Sequence, residues 1–422
     1  MRELGTARAR AGALGVAELL DDYPVRQMLF FISPRLIDLD SYLPTIMELK
    51  AQRPGWDFKV ICFDKDNYNT IQNNPVLRSG LDKAAALYFC GTKPAASPLR
   101  RRIGGLVNFL RVSSWILRRK KPALFLAVPF TEFPYVLWYL LARSRSGNGF
   151  VLFKHRSTDE MHHLMWRARD LLEPKVRGLW SQLMGRDQDA IIHYHDQQKV
   201  MIEQLSAMGY IANTPRYNIG LPHGFSAWQR HIDEETEKQR RELVEQGIPA
   251  DAELYGFFPG KPGSNEFLRG VGSIEHVFLK QMKALAKLRP NAYILIRPHP
   301  LAIHEEYVRE GMRAFGNGQA RISFAHPEVL LRLCRRCLFN NPTNLLFHCF
   351  PGHMVDCSDY PDDHYEEHGD ISMAEGLGIV FVRPDRDNFY EKFREAIEND
   401  EPFREARNVG RLERIMESGK PR

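Results

Sequence analysis

The sequence predicts an α/β protein of two doubly wound parallel-sheet domains facing a central cleft. Three observations carry that expectation. The chain has 422 residues, too many for one ordinary core, so two domains of about 200 residues are the natural arrangement. From Val25 onward short apolar runs alternate with helical patterns, as parallel strands covered on both faces require. The alternation breaks once, at the almost wholly polar "HIDEETEKQRRELVEQGIPADA" (231–252), and then resumes.

Taken in order, residues 1–24 read as a tail with basic residues but no continuous apolar core, unlike a secretory signal. The first domain, 25–230, opens with strand "QMLFFIS", helix "DSYLPTIMELKAQRP", strand "DFKVICFD" and strand "AALYFCG". A basic helix follows, then strand "ALFLAVPF" with its helix, strand "FVLFKHR", strand "DAIIHYH" and helix "DQQKVMIEQLSAMGY". "RYNIGLPHG" (216–224) precedes 231–252, a helical linker. The second domain, 253–400, reads strand "ELYGFFPG", helix "IEHVFLKQMKALAKL", strand "AYILIRPHP", helix "HEEYVREGMRAF", strand "ARISFA" and helix "EVLLRLCRRC". After "LFNNPTN" and a long polar loop come strand "GIVFV" and a last helix, "NFYEKFREAIEN", before a tail at 401–422. In such a pair of sheets a ligand sits at the carboxyl ends of the strands.

An apolar fraction of 44% and a charged fraction of 26% are those of a soluble globular protein. Six irregularly spaced cysteines fit a reducing compartment, and the cytoplasm is the expected location. "PALFLAVPFTEFPYVLWYLLARS" (122–144) is apolar enough to suggest a membrane span, but Glu132 lies in its middle and Pro129 and Pro134 interrupt it. A buried strand, a turn and a helix begun by Thr131 is the better parse.

The charge is unevenly spread. Residues 99–121 hold six Arg, two Lys and no acid, which is +8; the chain as a whole is +6, so the remainder is −2. Ile103, Leu106, Val107, Leu110 and Leu117 recur at helical spacing, giving a basic amphipathic helix. Such a helix either lies on an anionic membrane surface or docks its apolar side on the core with a solvated basic edge. Nucleic acid is the weaker partner, since no binding motif accompanies the charge.

Three strand ends of the second half carry anion-binding chemistry. In "YILIRPHPLAI" an apolar strand runs into Pro298 and Pro300, which cannot continue a ladder, so Arg297 and His299 stand on a stiff turn. A guanidinium forks toward phosphate oxygens, and the imidazole can donate to them or to a base. In "FFPGKPGSN" Gly260 and Gly263 let backbone N–H groups approach a phosphate, and Lys261 adds charge. In "FNNPTNLL" Thr343 and Asn344 stand at a helix start. A plain capping turn, a Pro/Gly loop and an ordinary N-cap are the bland alternatives.

With the "RPHP" turn followed a strand–helix unit later by a Thr turn, the chain resembles glycosyltransferases of the B-type fold, with two Rossmann-like domains. The similarity is greatest to the branch that uses cytidine nucleotides: bacterial sialyl- and Kdo-transferases and CDP-glycerol glycerophosphotransferases. The resemblance implies that His299 and Pro300 hold the nucleotide and its phosphate. The family's Ser motif falls on Thr343 and Asn344, where this chain lacks the usual paired serines. It further implies a nucleotide-sugar donor, CMP-linked in that branch, and a surface polysaccharide or lipid-linked glycan as acceptor. Transfer of a polyol phosphate from CDP-glycerol is the alternative, and a non-catalytic membrane-surface protein on a degenerate transferase fold the second. No metal or other cofactor is obligatory, because positioning and charge neutralisation at the leaving nucleotide suffice.

The first half should carry the base. "FKHRSTDEMHH" (153–163) gathers His155, Asp159 and Glu160 after a strand, where a carboxylate or imidazole could take a proton from an attacking hydroxyl. The carboxylates suit the sialyltransferase-like case and His155 the glycerophosphotransferase-like one; a capped helix start with solvated histidines is the alternative. "VDCSDYPDDHYEEHGD" (355–370) reads as a solvated flap over the cleft, since its acids show no ligand spacing. "CRRC" invites zinc, but Cys334 falls on the apolar face of "VLLRLCRRCLF", and buried cysteine is ordinary.

Overall fold

The computed structural model describes residues 26–32, 37–62, 65–90, 97–118, 123–127, 141, 149–153, 190–193, 216–218, 222–260, 271–298, 306–316, 318–340, 354–362, 365–366 and 380–399. They fall into two compact units, one up to His231 and one from Ile232. Each is a wholly parallel sheet, with helices between several of its strands among the described residues.

In the first unit the strands are β1 (Gln27–Ile32), β2 (Asp57–Cys62), β3 (Ala86–Phe89), β4 (Leu124–Ala127), β5 (Gly149–Phe153), β6 (Ala190–His193) and β7 (Arg216–Asn218), in the spatial order β3-β2-β1-β4-β5-β6-β7. β1 is central and buried from Met28 to Ile32 without a break. An unalternated apolar run is what a strand covered on both faces needs. β3 ends the row, and its side chains alternate between exposed and half-buried. Helix α1 (Ile37–Gln52) lays Tyr42 against Phe30, ring centroids 5.7 Å apart. Helices α2 (Lys65–Asn73), α3 (Pro75–Ala84) and α4 (Pro98–Arg118) follow. Asn74 caps α3, its Oδ1 accepting the Leu77 N–H at 3.1 Å with Pro75 next in line.

The polar segment read as a linker is helix α5 (Ser226–Glu245), entered by a 3-10 turn at Pro222–Gly224. It is polar yet anchored: Trp228, His231 and Ile232 are buried. The Glu48 carboxylate accepts the Ala227 N–H at 2.9 Å, satisfying a donor that the first turn of a helix leaves without an intrahelical partner. His223 Nε2 lies 3.0 Å from the Asp40 carbonyl, and His231 Nε2 lies 2.9 Å from the Val76 carbonyl. With Nε2 donating, His231 Nδ1 is left to accept from the Lys83 ammonium at 3.2 Å.

The second unit has β8 (Leu254–Phe258), β9 (Tyr293–Ile296), β10 (Ala320–Ile322), β11 (Arg336–Phe339), β12 (Met354–Asp356) and β13 (Val380–Phe381), ordered β10-β9-β8-β11-β12-β13. Its helices are α6 (Val271–Leu288), α7 (Glu306–Met312), α8 (Pro327–Leu333) and α9 (Phe389–Glu398). Phe278 of α6 meets Phe257 and Tyr307 edge-on, centroids 5.9 and 5.6 Å away, in the middle of the core.

Two expectations need correction, and one alternative left open is decided. "EVLLRLCRRC" is not one helix: α8 ends at Leu333, Cys334 is extended (φ −91°, ψ 142°), and Arg336–Phe339 is a buried strand between β8 and β12. The two cysteines pack instead where β8 has no side chain. A Cβ on Gly256 would stand 2.6 Å from Cys337 Sγ and 3.4 Å from Cys334 Sγ. The acidic stretch begins not as a solvated flap but as β12, with Asp356, Cys357, Ser358 and Tyr360 buried. Asp356 can be buried because Ser358 N–H (2.8 Å), Ser358 Oγ (2.6 Å) and Tyr360 O–H (2.7 Å) all donate to it. Burial pushes the neighbouring Cys357 thiol far above its usual range. Finally, the apolar side of α4 does not enter the core: Ile103, Leu106, Val107, Leu110 and Leu117 are exposed. What holds α4 down is the other side, through Val112 and Ile116.

Of "PALFLAVPFTEFPYVLWYLLARS", Leu124–Ala127 is a strand, and among the described residues no helix is long and apolar enough to cross a membrane.

Candidate functional site

The order β10-β9-β8-β11 gives the second unit's carboxyl edge its content, because parallel neighbours end side by side. β9 leads into Arg297 and Pro298, β8 into Pro259 and Gly260, and β11 into Asn340. Two of the turns singled out for anion chemistry therefore leave adjacent strands, and the third leaves the strand beside them.

Arg297 is half-buried and its backbone N–H donates to the Phe257 carbonyl at 2.8 Å, extending the β8–β9 ladder by one step. A guanidinium is thereby held at the point where the sheet stops. Gly260 is held from two sides: its N–H donates to Asn340 Oδ1 at 3.0 Å, and its carbonyl accepts the Tyr307 hydroxyl at 2.7 Å. Asn340 is 1% exposed, and its amide also donates to the Ile274 carbonyl at 2.7 Å near the start of α6. One side chain thus joins the β8 turn, the end of β11 and the first turns of α6. The stretch from 261 to 270, which carries Lys261 and Gly263, lies outside the described residues, as do His299, Pro300, Thr343 and Asn344. His155, Asp159 and Glu160 lie outside them as well.

The edge has members that the sequence did not flag. Ser323 N–H donates to the Ile296 carbonyl at 2.7 Å, so β10 ends beside Arg297. The next residue, Phe324, is 65% exposed. A large ring left in water next to a strand end that presents a cation offers a face to an aromatic ligand and a charge to its phosphate. Behind it His326 caps α8, its Nδ1 accepting the Glu328 N–H at 3.2 Å. At the far side Arg383 follows β13, its guanidinium carbon 3.5 Å from the Tyr365 ring centroid and its Nε 2.7 Å from Asp385. Burial pushes the Tyr365 hydroxyl up to about 12. A buried Asn after an apolar strand, as in "LFNN", is the one signal that could have pointed to Asn340. An exposed Phe has no sequence signature. Among the described residues no group of His, Cys, Asp and Glu is arranged to hold a metal ion.

Two doubly wound units, each a parallel sheet, are the architecture of the B-type fold. The chain is similar in structure to UDP-GlcNAc 2-epimerase from Methanocaldococcus jannaschii, at 13% identity and a TM-score of 0.52, over 93% of this chain and 99% of that one. UDP-GlcNAc 2-epimerase from Neisseria meningitidis bound to UDP-GlcNAc is similar at 12% identity and a TM-score of 0.49, over 92% and 98%. A transferase from Siraitia grosvenorii in complex with UDP is similar at 12% and 0.47, over 93% and 94%. At such identities the likeness is one of fold. No family model matches the chain, and no curated protein matches it either.

Proposed function

We propose that this protein is a glycosyltransferase that moves a sugar from a pyrimidine-nucleotide donor to a surface polysaccharide or lipid-linked glycan at the cytoplasmic face of the membrane. The observation that carries the reading is the carboxyl edge of β9, β8 and β11, where Arg297, the Gly260 turn and its Asn340 anchor stand together in a fold used for sugar nucleotides. Arg297 and His299, with Lys261, the turn N–H of Gly263, and Thr343 and Asn344, take the phosphates; the Gly260 N–H, expected to join them, is engaged by Asn340 Oδ1 and positions the turn instead. Phe324 takes the base by stacking. The donor is CMP-linked, on the similarity of "RPHP" to the cytidine-using branch; the neighbours that hold UDP or UDP-GlcNAc make uridine the competitor.

In the reaction the acceptor oxygen bonds to the anomeric carbon as the bond from that carbon to the phosphate oxygen breaks. The nucleotide leaves with the electron pair, stabilised by the cations at its phosphates. The acceptor's proton goes to Asp159 or Glu160. His155 is the base if a polyol phosphate is transferred instead. Asp159→Ala or Glu160→Ala is expected to lower turnover about a hundredfold with nucleotide binding intact. If both variants keep near-normal turnover and His155→Ala abolishes it, polyol-phosphate transfer replaces glycosyl transfer.

Thermal unfolding with CMP, CDP, UDP and GDP tests the donor. A nucleotide at 100 times its dissociation constant adds about 2.7 kcal/mol. Stabilisation by UDP or GDP alone overturns the cytidine donor and leaves the transferase; stabilisation by none overturns both.

A further inference from the structure

We infer that α4 is a membrane-docking helix that seats the first unit on an anionic lipid surface. The inference is independent of the transferase reading. Leu99, Ile103, Leu106, Val107 and Leu110 are all more than half exposed, from 54% to 68%. Single exposed aliphatics are ordinary, but five on one helix are not. At about 100° per residue their spacing places them on one face. The helix is not loose, since Val112 and Ile116, on the side turned away from the stripe, are buried against the unit. A firmly held helix thus presents its aliphatic stripe outward.

The charge says what covers it. Residues 99–121 bring eight cations and no acid, and Arg111 and Arg118, both exposed, fall beside the stripe. A lipid surface supplies acyl chains for the leucines and isoleucine and phosphates for the arginines, in the two layers that an in-plane amphipathic helix meets. A second copy would bring its own +8 against this one, which opposes a symmetric pair. Nucleic acid would meet the cations and leave the aliphatics in water. At 21 residues the helix runs about 32 Å along the surface.

The test uses the full chain in sedimentation with vesicles of phosphatidylcholine alone and of phosphatidylcholine with phosphatidylglycerol. Binding to the anionic vesicles should exceed binding to the neutral ones at least about tenfold and weaken as salt is raised. Leu106→Glu with Leu110→Glu should abolish it, and Arg111→Ala should lower it roughly fivefold. These residues are exposed, so circular dichroism and melting temperature should be those of the parent protein. No binding by the folded parent, equal binding to both vesicle types, or undiminished binding by the double variant overturns the inference. So does light scattering that shows a dimer dispersed by the double variant while vesicles are ignored, since the stripe then belongs to a second copy.

Discussion

Among the described residues, the first unit buries its polar groups on or at helices alone, whereas the second buries them in its sheet as well. In the first, Glu48, Asn74, His223 and His231 lie among helices α1, α3 and the start of α5, away from the strands. In the second, Gln281, His326 and Glu328 lie on or at helices as well, but Arg336 and Asp356 lie within strands and Asn340 follows one. Among the described residues, the same fold class is thus stapled on its helices in one half and on helices and sheet together in the other. Where a sheet edge is stapled, the turns leaving it have fixed positions, as a binding site requires.

The sequence offers a way to test that contrast, because all six tryptophans lie at or before Trp228, in the first unit. Tryptophan fluorescence therefore follows the first unit and hydrogen exchange can follow both. The largest expected effect is at Arg336. Arg336→Ala removes the side chain that donates to the Ala396 and Asn399 carbonyls at the end of α9, and should cost about 3 kcal/mol or more. Exchange in β11 and α9 should rise while the fluorescence transition in urea stays put. A shifted fluorescence midpoint would mean that the units do not unfold separately.

Glu48→Ala is the mirror experiment. It strips the Ala227 N–H of its acceptor and should cost about 1–3 kcal/mol, read by fluorescence, with nucleotide binding unchanged. Gly256→Ala should cost about 1–3 kcal/mol in the second unit, because the added methyl meets Cys337 Sγ. Should Gly256→Ala prove neutral by urea titration, the cysteines have room to turn aside.

The smallest effect near neutrality is graded with alkali. Tyr255 and Tyr365 are each raised, chiefly by burial, from 10.0 to about 12. Between those values the folded protein holds protons that the unfolded chain has released, so stability falls as pH rises from 10 to 12. Both tyrosines are in the second unit, so its exchange protection should fade first. Cys90 in the first unit, raised by burial above 9.0, adds a weaker trend of the same sign there. Loss of fluorescence before loss of second-unit protection would reverse the assignment.

Most strands were legible because a parallel strand buried on both faces must be a short apolar run, and "MLFFI", "LYGFF" and "YILI" are such runs. β12 was not, since "MVD" carries an aspartate into the sheet, and β11 was marked only by the turn after it, because "RCLF" carries an arginine and was absorbed into the helix before it. Arg336 is satisfied by carbonyls of a helix 60 and 63 positions further along, a compensation no local window can contain. The candidate site divides in the same way. Pro and Gly after β8 and β9 announced their turns, whereas the bond from Asn340 to Gly260 spans 80 positions. The outward stripe of α4 was legible as a pattern, but which side faced water depended on packing.

Arg336 also sets a schedule for the newborn chain. At about 5–20 residues per second of synthesis, the 63 positions between it and Asn399 take roughly 3 to 13 s to appear. Throughout that interval the ribosome has delivered β11 but not the helix end that accepts its guanidinium. A central strand holding an unanswered charge has reason to stay hydrated, which postpones closure of the second unit until its last described helix arrives. The first unit, whose helix staples are all in hand by residue 231, has no such wait.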